Sequence, residues 1–271
     1  MPLIVDFDNT ISIRGCDVDD AFALFYLIGS KSKIDLVTTT HGNSNEDDVY
    51  KASLKMFKDL DIKIPLYKGG LHEDKGALAI KDFVNNNKGT TIISLGATTN
   101  TAKALDFGMK AENIEKIIFM GGIFEQLQFK NRIMDELNLS VDYRSTIKVL
   151  KAVKNNYIIT GNACLPHKYT INKDTIFKST YLNYIKSHLL SWLDDFEEAY
   201  DERETVVWDA ITTVFLLHEE FFNVEKKSIA LGENLKNGYL KNGKDKEIFF
   251  PWVKDGIKIM DHIIDVIEGS N

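Results

Sequence analysis

Cysteine and arginine are both scarce in this chain of 271 residues. Two cysteines, Cys16 and Cys164, cannot build a disulfide framework, and there is no Cys-x-x-Cys pair for zinc or redox chemistry. Only Arg14, Arg132, Arg144 and Arg203 carry a guanidinium, so the planar fork that grips phosphate in two places is rare. Basic charge as a whole is in deficit, 33 Lys plus Arg against 40 Asp plus Glu, a formal net charge of −7. That balance speaks against nucleic acid as a partner, because phosphate backbones are bound by clustered cations. No apolar run approaches the roughly 20 residues that span a bilayer. The opening Met1-Pro2-Leu3-Ile4-Val5-Asp6 has no basic segment followed by a long apolar one, so no signal peptide is expected. These absences point to a cytoplasmic protein that binds neither membrane nor nucleic acid. Repeats, low-complexity tracts and linkers are missing too, which favours one domain over residues 1–271. What is present, 44% hydrophobic and 27% charged residues, is enough for a substantial core.

Short apolar runs alternate with amphipathic stretches. Leu3–Phe7 reads as a buried strand, and residues 34–39, 64–67, 91–95, 116–120 and 157–160 are further strand candidates. Helical spacing is expected over residues 19–28, from about 46, over 99–107 and over 142–154. This alternation predicts an α/β fold, a mostly parallel central sheet with helices on both faces. The second half is more helical, with segments at 174–200, 208–222 and 256–268. Residues 236–246, carrying Gly238 and Gly243 among polar neighbours, read as a turn or hairpin tip.

Nearly every candidate strand ends in a polar cluster: Asp6-Phe7-Asp8-Asn9-Thr10, Thr40-His41-Gly42-Asn43, Gly96-Ala97-Thr98-Thr99-Asn100 and Met120-Gly121-Gly122. In open parallel sheets ligands bind beyond the carboxyl ends of the strands, so these clusters converge on one rim. The densest is acidic, with Asp6, Asp8, Asp17, Asp19 and Asp20 close in sequence. Carboxylates packed so closely repel one another unless a cation neutralises them. Oxygen donors without neighbouring His or Cys ligands suit Ca²⁺ or Mg²⁺ rather than zinc. Helix capping is the simpler reading of Asp19 or Asp20, but it accounts for neither Asp6 nor Asp8.

Two families resemble this segment. Leu3-Ile4-Val5-Asp6-Phe7-Asp8-Asn9-Thr10 is similar to the first motif of haloacid-dehalogenase-type phosphatases, which use Mg²⁺ and an aspartyl nucleophile. That likeness covers eight residues only. The second runs the length of the chain. Asp6-x-Asp8 with Asp17-Val18-Asp19-Asp20-Ala21 resembles the N-terminal signature of the nucleoside hydrolases, the inosine–uridine-preferring ribohydrolases. Five more motifs follow in the family's order: 38–43 ending in Gly-Asn, Leu95-Gly96-Ala97-Thr98-Thr99-Asn100, Met120-Gly121-Gly122, Asp135-Glu136-Leu137-Asn138 with Asp142, and Trp208-Asp209-Ala210.

The resemblance implies hydrolysis of the N-glycosidic bond of ribonucleosides, of inosine/uridine or purine type, to ribose and free base. It implies Ca²⁺ held by Asp8, Asp20, Asp209 and the backbone carbonyl of Leu95, where the ion also meets the ribose 2′- and 3′-hydroxyls and the attacking water. Asp8 would be the general base. Asp19, Asn43, Glu136 and Asn138 would hydrogen-bond the ribose, with Met120 packed under its ring. Simpler alternatives stand beside these roles: Asn43 and Asn138 as turn formers, Met120 as core filler. Trp208 stands where purine-preferring members place a Trp and others a His; it would stack on the base, or be a core residue at a helix start with Asp209 as N-cap. His41, His72 and His167 are candidates near the base, His72 foremost because it lies in the Gly-rich loop 68–76. A homodimer or homotetramer is the implied assembly. One departure is the loop: thirteen positions separate Asp6 from Asp19, roughly twice the family's usual spacing, which leaves the contacts of Arg14, Asp17 and Asp19 open. Cys16 in that loop reads as an inert structural thiol. A nucleoside-binding protein without turnover is the remaining alternative.

Overall fold

The computed structural model describes residues 1–270. Its first half alternates as the apolar pattern predicts: β1 (Leu3–Phe7), α1 (Asp19–Gly29), β2 (Leu36–Thr39), α2 (Glu46–Asp59), β3 (Leu66–Lys68), α3 (Lys75–Asn86), β4 (Thr90–Ser94), α4 (Thr99–Asp106) and β5 (Ile114–Met120). A two-stranded ribbon follows, β6 (Leu127–Gln128) against β7 (Ile133–Met134). Next come α5 (Tyr143–Ala152), β8 (Asn156–Ile159) and the single turn α6 (Gly161–Cys164). A second ribbon pairs β9 (Lys168–Tyr169) with β10 (Thr205–Val206) around the long α7 (Thr180–Tyr200). The chain closes with α8 (Trp208–Leu217), β11 (Phe222–Ile229), β12 (Lys246–Val253) and α9 (Ile259–Glu268).

Eight strands form one sheet in the order β11-β12-β8-β5-β4-β1-β2-β3. All neighbours run parallel except β11, which pairs antiparallel with β12. Alternate side chains leave a strand on opposite faces. Leu3, Val5 and Phe7 of β1 therefore join Ile93, Ile118 and the helices α1, α7, α8 and α9 in one apolar layer. Ile4, Ile92 and Ile117 face α3, α4 and α5 in the other. Each fully buried aliphatic or aromatic side chain contributes about 1.5–3 kcal/mol, so two such layers hold the strand ends in fixed register.

Several segments differ from the sequence expectation, three of them instructively. The helix expected over 208–222 stops at Leu217, and Phe222 opens β11. Only Phe222 and Ile229 of β11 are buried, as befits an edge strand whose outward residues include Glu225 and Lys226, so no strand periodicity shows. Helix α3 had not been anticipated at all, although Ala77, Ile80 and Val84 are its buried face. Helix α7 begins at Thr180 rather than near 174, because Ser179 caps it: its Oγ accepts from the N–H of Tyr181 at 3.2 Å and of Leu182 at 3.5 Å.

Between β1 and β4 the chain order reverses, since β1 continues to β2 on one side and β4 to β5 on the other. Asp6 pairs with Thr38 on one flank and Ser94 on the other, so the residues following β1, β2 and β4 emerge side by side. Such a switch point is the usual place for a ligand.

Candidate active site

Asp8 leaves the carboxyl end of β1 and is 1% exposed. Its Oδ2 accepts the backbone N–H of Asn43 at 2.6 Å, and its own N–H donates to Asp20 Oδ1 at 3.2 Å. Gly42 and Gly96 sit against this carboxylate, and a side chain at either position would collide with it. Asp19 and Asp20 open α1, and Asp209 lies in the first turn of α8. Helices α1 and α8 pack together, which brings acids from opposite ends of the chain into contact. The backbone N–H of Asp209 donates to Asp19 Oδ2 at 3.4 Å, and the Asp19 and Asp20 charges act on Asp209. Both helix N-termini thus turn their positive ends toward the carboxylates.

The capping expectations are corrected here. Val207, not Asp209, is the N-cap of α8, and it makes no side-chain cap bond. Val18 precedes α1 in the same way. Of the acids, only Asp142 is an ordinary cap: it accepts from Ser145 N–H at 3.2 Å and from Thr99 Oγ1 at 2.6 Å, joining α5 to α4.

Burial pushes every carboxyl of the cluster upward. Asp8 is raised to about 8, first by desolvation and then by Asp17 and Asp6. Asp6 is raised to about 7 by burial, opposed by hydrogen bonds from Thr38 and Asn100. Asp19, Asp20 and Asp209 lie well above the usual carboxylate range, through burial and then through the charge of neighbouring acids, first Asp17 on Asp19, Asp8 on Asp20 and Asp19 on Asp209. Asp8 Oδ1 and Asp20 Oδ2 are buried without a hydrogen-bond partner. Oxygens of Asp17, Asp19 and Asp20 also lie within 4.8 Å of one another. Unpaired carboxylate oxygens buried among other acids are costly unless a proton or a cation satisfies them. The donors are all hard oxygens, so the set fits a hard divalent cation.

Over the acids lies a cavity of about 230 Å³. Asp19, Asn43, Leu95, Met120, Glu136, Asn138, Trp208 and Asp209 all line it. Asp8 and Asp20 are not on its wall but lie directly beneath, bonded to Asn43 and to each other. Asn138 Nδ2 donates to the carbonyls of Leu95 at 3.0 Å and Met120 at 3.2 Å. Glu136 Oε1 accepts the N–H groups of Gly122 and Leu139 at 3.0 and 2.7 Å, while Oε2 has no partner. Gly238, at φ 71°, packs on this side chain where any Cβ would collide.

His72 is not brought to the cavity. It is exposed, and its loop is held away: the His72 N–H donates to Glu46 Oε2, and Lys103 Nζ donates to the carbonyls of Gly70, Leu71 and Glu73. His41 and His167 are not on its wall either. Cys16, raised by burial, points its thiol at the Asn43 carbonyl 3.7 Å away, in keeping with an inert role. Two aromatic wall residues, Trp192 and Tyr200, had not been singled out, whereas Asp17 of the acidic cluster also reaches the wall. Asp17 accepts from Asn43 Nδ2 at 3.1 Å, and Trp192 and Tyr200 come from α7. Their signal was the i, i+4, i+8 spacing of Trp192, Phe196 and Tyr200, which reads equally as core.

Over residues 3–254 the sequence matches the family described as inosine-uridine preferring nucleoside hydrolase. The chain belongs to this family. Nucleoside hydrolases are metal-dependent glycosidases of N-glycosyl compounds, so this chain is an enzyme, a nucleoside N-ribohydrolase. The eight-residue likeness to phosphatases is accordingly not carried by the rest of the chain. Solved nucleoside hydrolases share its fold. A plant nucleoside hydrolase superposes with TM-score 0.83 at 18% identity, covering 98% of each chain. A purine-preferring ribonucleoside hydrolase from Gardnerella vaginalis gives 0.81 at 15% identity, covering 100% of this chain and 99% of its own. An inosine-guanosine nucleoside hydrolase gives 0.72 at 15% identity, covering 99% and 98%. No curated protein matches this nucleoside hydrolase in sequence. Among the described residues no helix is long and apolar enough to cross a membrane.

Proposed function

We propose that this nucleoside hydrolase works with Ca²⁺ and acts on purine ribonucleosides. The observation that carries the metal is the pair of orphaned oxygens, Asp8 Oδ1 and Asp20 Oδ2, buried among further carboxylates. Asp8, Asp20, Asp209 and the Leu95 carbonyl would hold the ion, with Asp17 and Asp19 beside it. When bound, such an ion supplies Lewis acidity to a water and orients the substrate's oxygens.

The chain's own groups do the rest. Asp8, its Oδ2 fixed by the Asn43 N–H, takes the proton of the water that attacks C1′. The carboxylates around it favour the positive charge that develops on the sugar as the glycosidic bond breaks. Asn138 has committed its Nδ2 to two carbonyls, which leaves Oδ1 to accept a ribose hydroxyl, and Glu136 Oε2 is free for another. With Asp19 and Asn43 they orient the ring over Met120. Trp192, Trp208 and Tyr200 supply the aromatic wall, and three large rings favour a purine over a pyrimidine by stacking area. By the same family resemblance we read the assembly as a homodimer or homotetramer, and from the sequence pattern we read the chain as one cytoplasmic domain.

A panel of inosine, guanosine, adenosine, uridine and cytidine tests the reading. The expected result is release of reducing sugar, fastest from purines, lost in metal-free buffer and restored by Ca²⁺. Full turnover after complete metal removal would refute the metal assignment, and faster cleavage of uridine than of any purine would refute the base assignment.

A further inference from the structure

The loop between β1 and α1, where this chain is longer than its family's usual spacing, has a defined structure of its own. Asn9, Thr10 and Ile11 are buried. The N–H of Ile13 donates to the Thr10 carbonyl at 2.9 Å and that of Cys16 to the Ile13 carbonyl at 3.3 Å, two turns in succession. Asn9 Nδ2 reaches Ser53 Oγ of α2 at 3.3 Å, and Thr10 Oγ1 donates to the Asp17 carbonyl at 3.4 Å. Held in this way, the loop delivers Cys16 and Asp17 to one residue, Asn43.

Asn43 is gripped through its backbone and its side chain. Its N–H donates to Asp8 Oδ2 at 2.6 Å, and its carbonyl accepts the Cys16 thiol at 3.7 Å. Its Nδ2 donates to Asp17 Oδ1 at 3.1 Å and Oδ2 at 3.3 Å. The Asp17 contact decides which way the amide points. An ionised carboxylate only accepts, so the NH₂ end must turn toward it. Oδ1 is then the end left for a ligand: among the described residues no donor reaches it, and it is not sealed from solvent. Asn43 and Asp17 both line the main cavity.

We propose that Asp17 is a positioning residue for the substrate: it fixes the Asn43 amide so that Oδ1, an acceptor, meets a ribose hydroxyl. This rests on the reading of Asn43 as a ribose contact given above. An amide already turned the right way loses less freedom when the sugar arrives, so more of the contact energy appears as binding. The lengthened loop thereby becomes part of the ribose site, although Asp17 need not touch the sugar. Asp17 also stands among acids, its oxygen within 4.8 Å of oxygens of Asp19 and Asp20. A role through negative charge alone is the competing explanation. It requires the charge, whereas the clamp on Asn43 requires an accepting oxygen.

The test compares two substitutions in the full chain at saturating calcium. Asp17→Asn keeps an accepting oxygen, and Asp17→Leu keeps the branched shape without one. Asp17→Leu should raise KM for inosine at least about tenfold and Asp17→Asn only about two- to threefold, with kcat changed less than KM in both. Asp17→Ala, which adds no methyl groups, should repeat the Leu result. In an Asn43→Ala background Asp17→Leu should add less than about twofold, because the two residues share one interaction. A readout without turnover is the side-chain amide ¹⁵N–¹H signal of Asn43, identified by its loss in Asn43→Ala. It should exchange slowly with solvent in wild type and Asp17→Asn and quickly in Asp17→Leu. Equal rises of KM in Asp17→Asn and Asp17→Leu would place the role in the charge and overturn the proposal. So would a slowly exchanging Asn43 amide in folded Asp17→Leu, or effects of Asp17→Leu and Asn43→Ala that multiply in full. Fast exchange in Asp17→Leu with wild-type KM in both that variant and Asn43→Ala would overturn the ribose role of Asn43, and the substrate part of the proposal with it, while the clamp itself stands.

Discussion

Asp8→Asn is expected to lower kcat about 10²–10⁴-fold, the usual contribution of a general base. The substitution is nearly isosteric, and an amide oxygen can still accept the Asn43 N–H now bonded at 2.6 Å. What disappears is the ability to take a proton and the full negative charge among the neighbouring acids. The packing around the residue argues that the fold survives, because Gly42 and Gly96 leave room for a side chain of this size and no larger. Relief of charge crowding should even raise the thermal midpoint of the metal-free protein, since Asp8 is one of the carboxylates that burial and neighbours push upward. Circular dichroism and steady-state kinetics on the same preparation decide the matter. Wild-type turnover in a folded Asp8→Asn protein would remove Asp8 from the mechanism.

Removal of the metal should reverse the pH response of stability as well as stop catalysis. In the metal-free chain Asp8 is raised to about 8 and Asp6 to about 7, while Asp19, Asp20 and Asp209 are raised well above the ordinary range. An unfolded carboxyl titrates near 4. The folded metal-free protein therefore binds more protons than the unfolded chain through that window, and stability falls as pH rises. Its contribution is complete below about pH 4 and is lost as pH passes the raised values. A bound cation stabilises the charged forms, and ligand binding to the folded state adds stability by mass action. The gain in thermal midpoint on adding Ca²⁺ to protein stripped by dialysis should thus be small at pH 5 and large at pH 8. An equal gain at both values, or a larger one at pH 5, would contradict this picture of the cluster.

Parts of this site could be read without coordinates, for definite reasons. Leu3–Phe7 is a short apolar run ending in acids, and a buried parallel strand leaves few other ways to write such a run. Asp8, Asp20 and Asp209 are far apart in sequence, and only the ordered motifs joined them; the physical link is the α1–α8 contact, which periodicity alone does not reveal. Asn138 stood out as a polar residue after β5, but its bond to the Leu95 carbonyl depends on how the loop 135–138 folds back over the rim. Trp192 and Tyr200 were hidden for another reason. On a 21-residue helix with Leu182, Ile185, Leu189, Leu193 and Phe196 buried, two more aromatics at helical spacing are indistinguishable from core. His72 failed in the opposite direction: a histidine in a Gly-rich loop looks poised for a ligand, yet Lys103 and Glu46 hold that loop elsewhere. The strand β11 was silent because only its two end residues are buried.

A crystal structure of the protein grown with calcium tests the central claim most directly. The account predicts a single strong density peak with oxygens of Asp8, Asp20 and Asp209 and the Leu95 carbonyl at about 2.3–2.6 Å, the range of calcium–oxygen bonds. A refined structure in which those three carboxylates point to different places, with the ion bound elsewhere or nowhere, would contradict it.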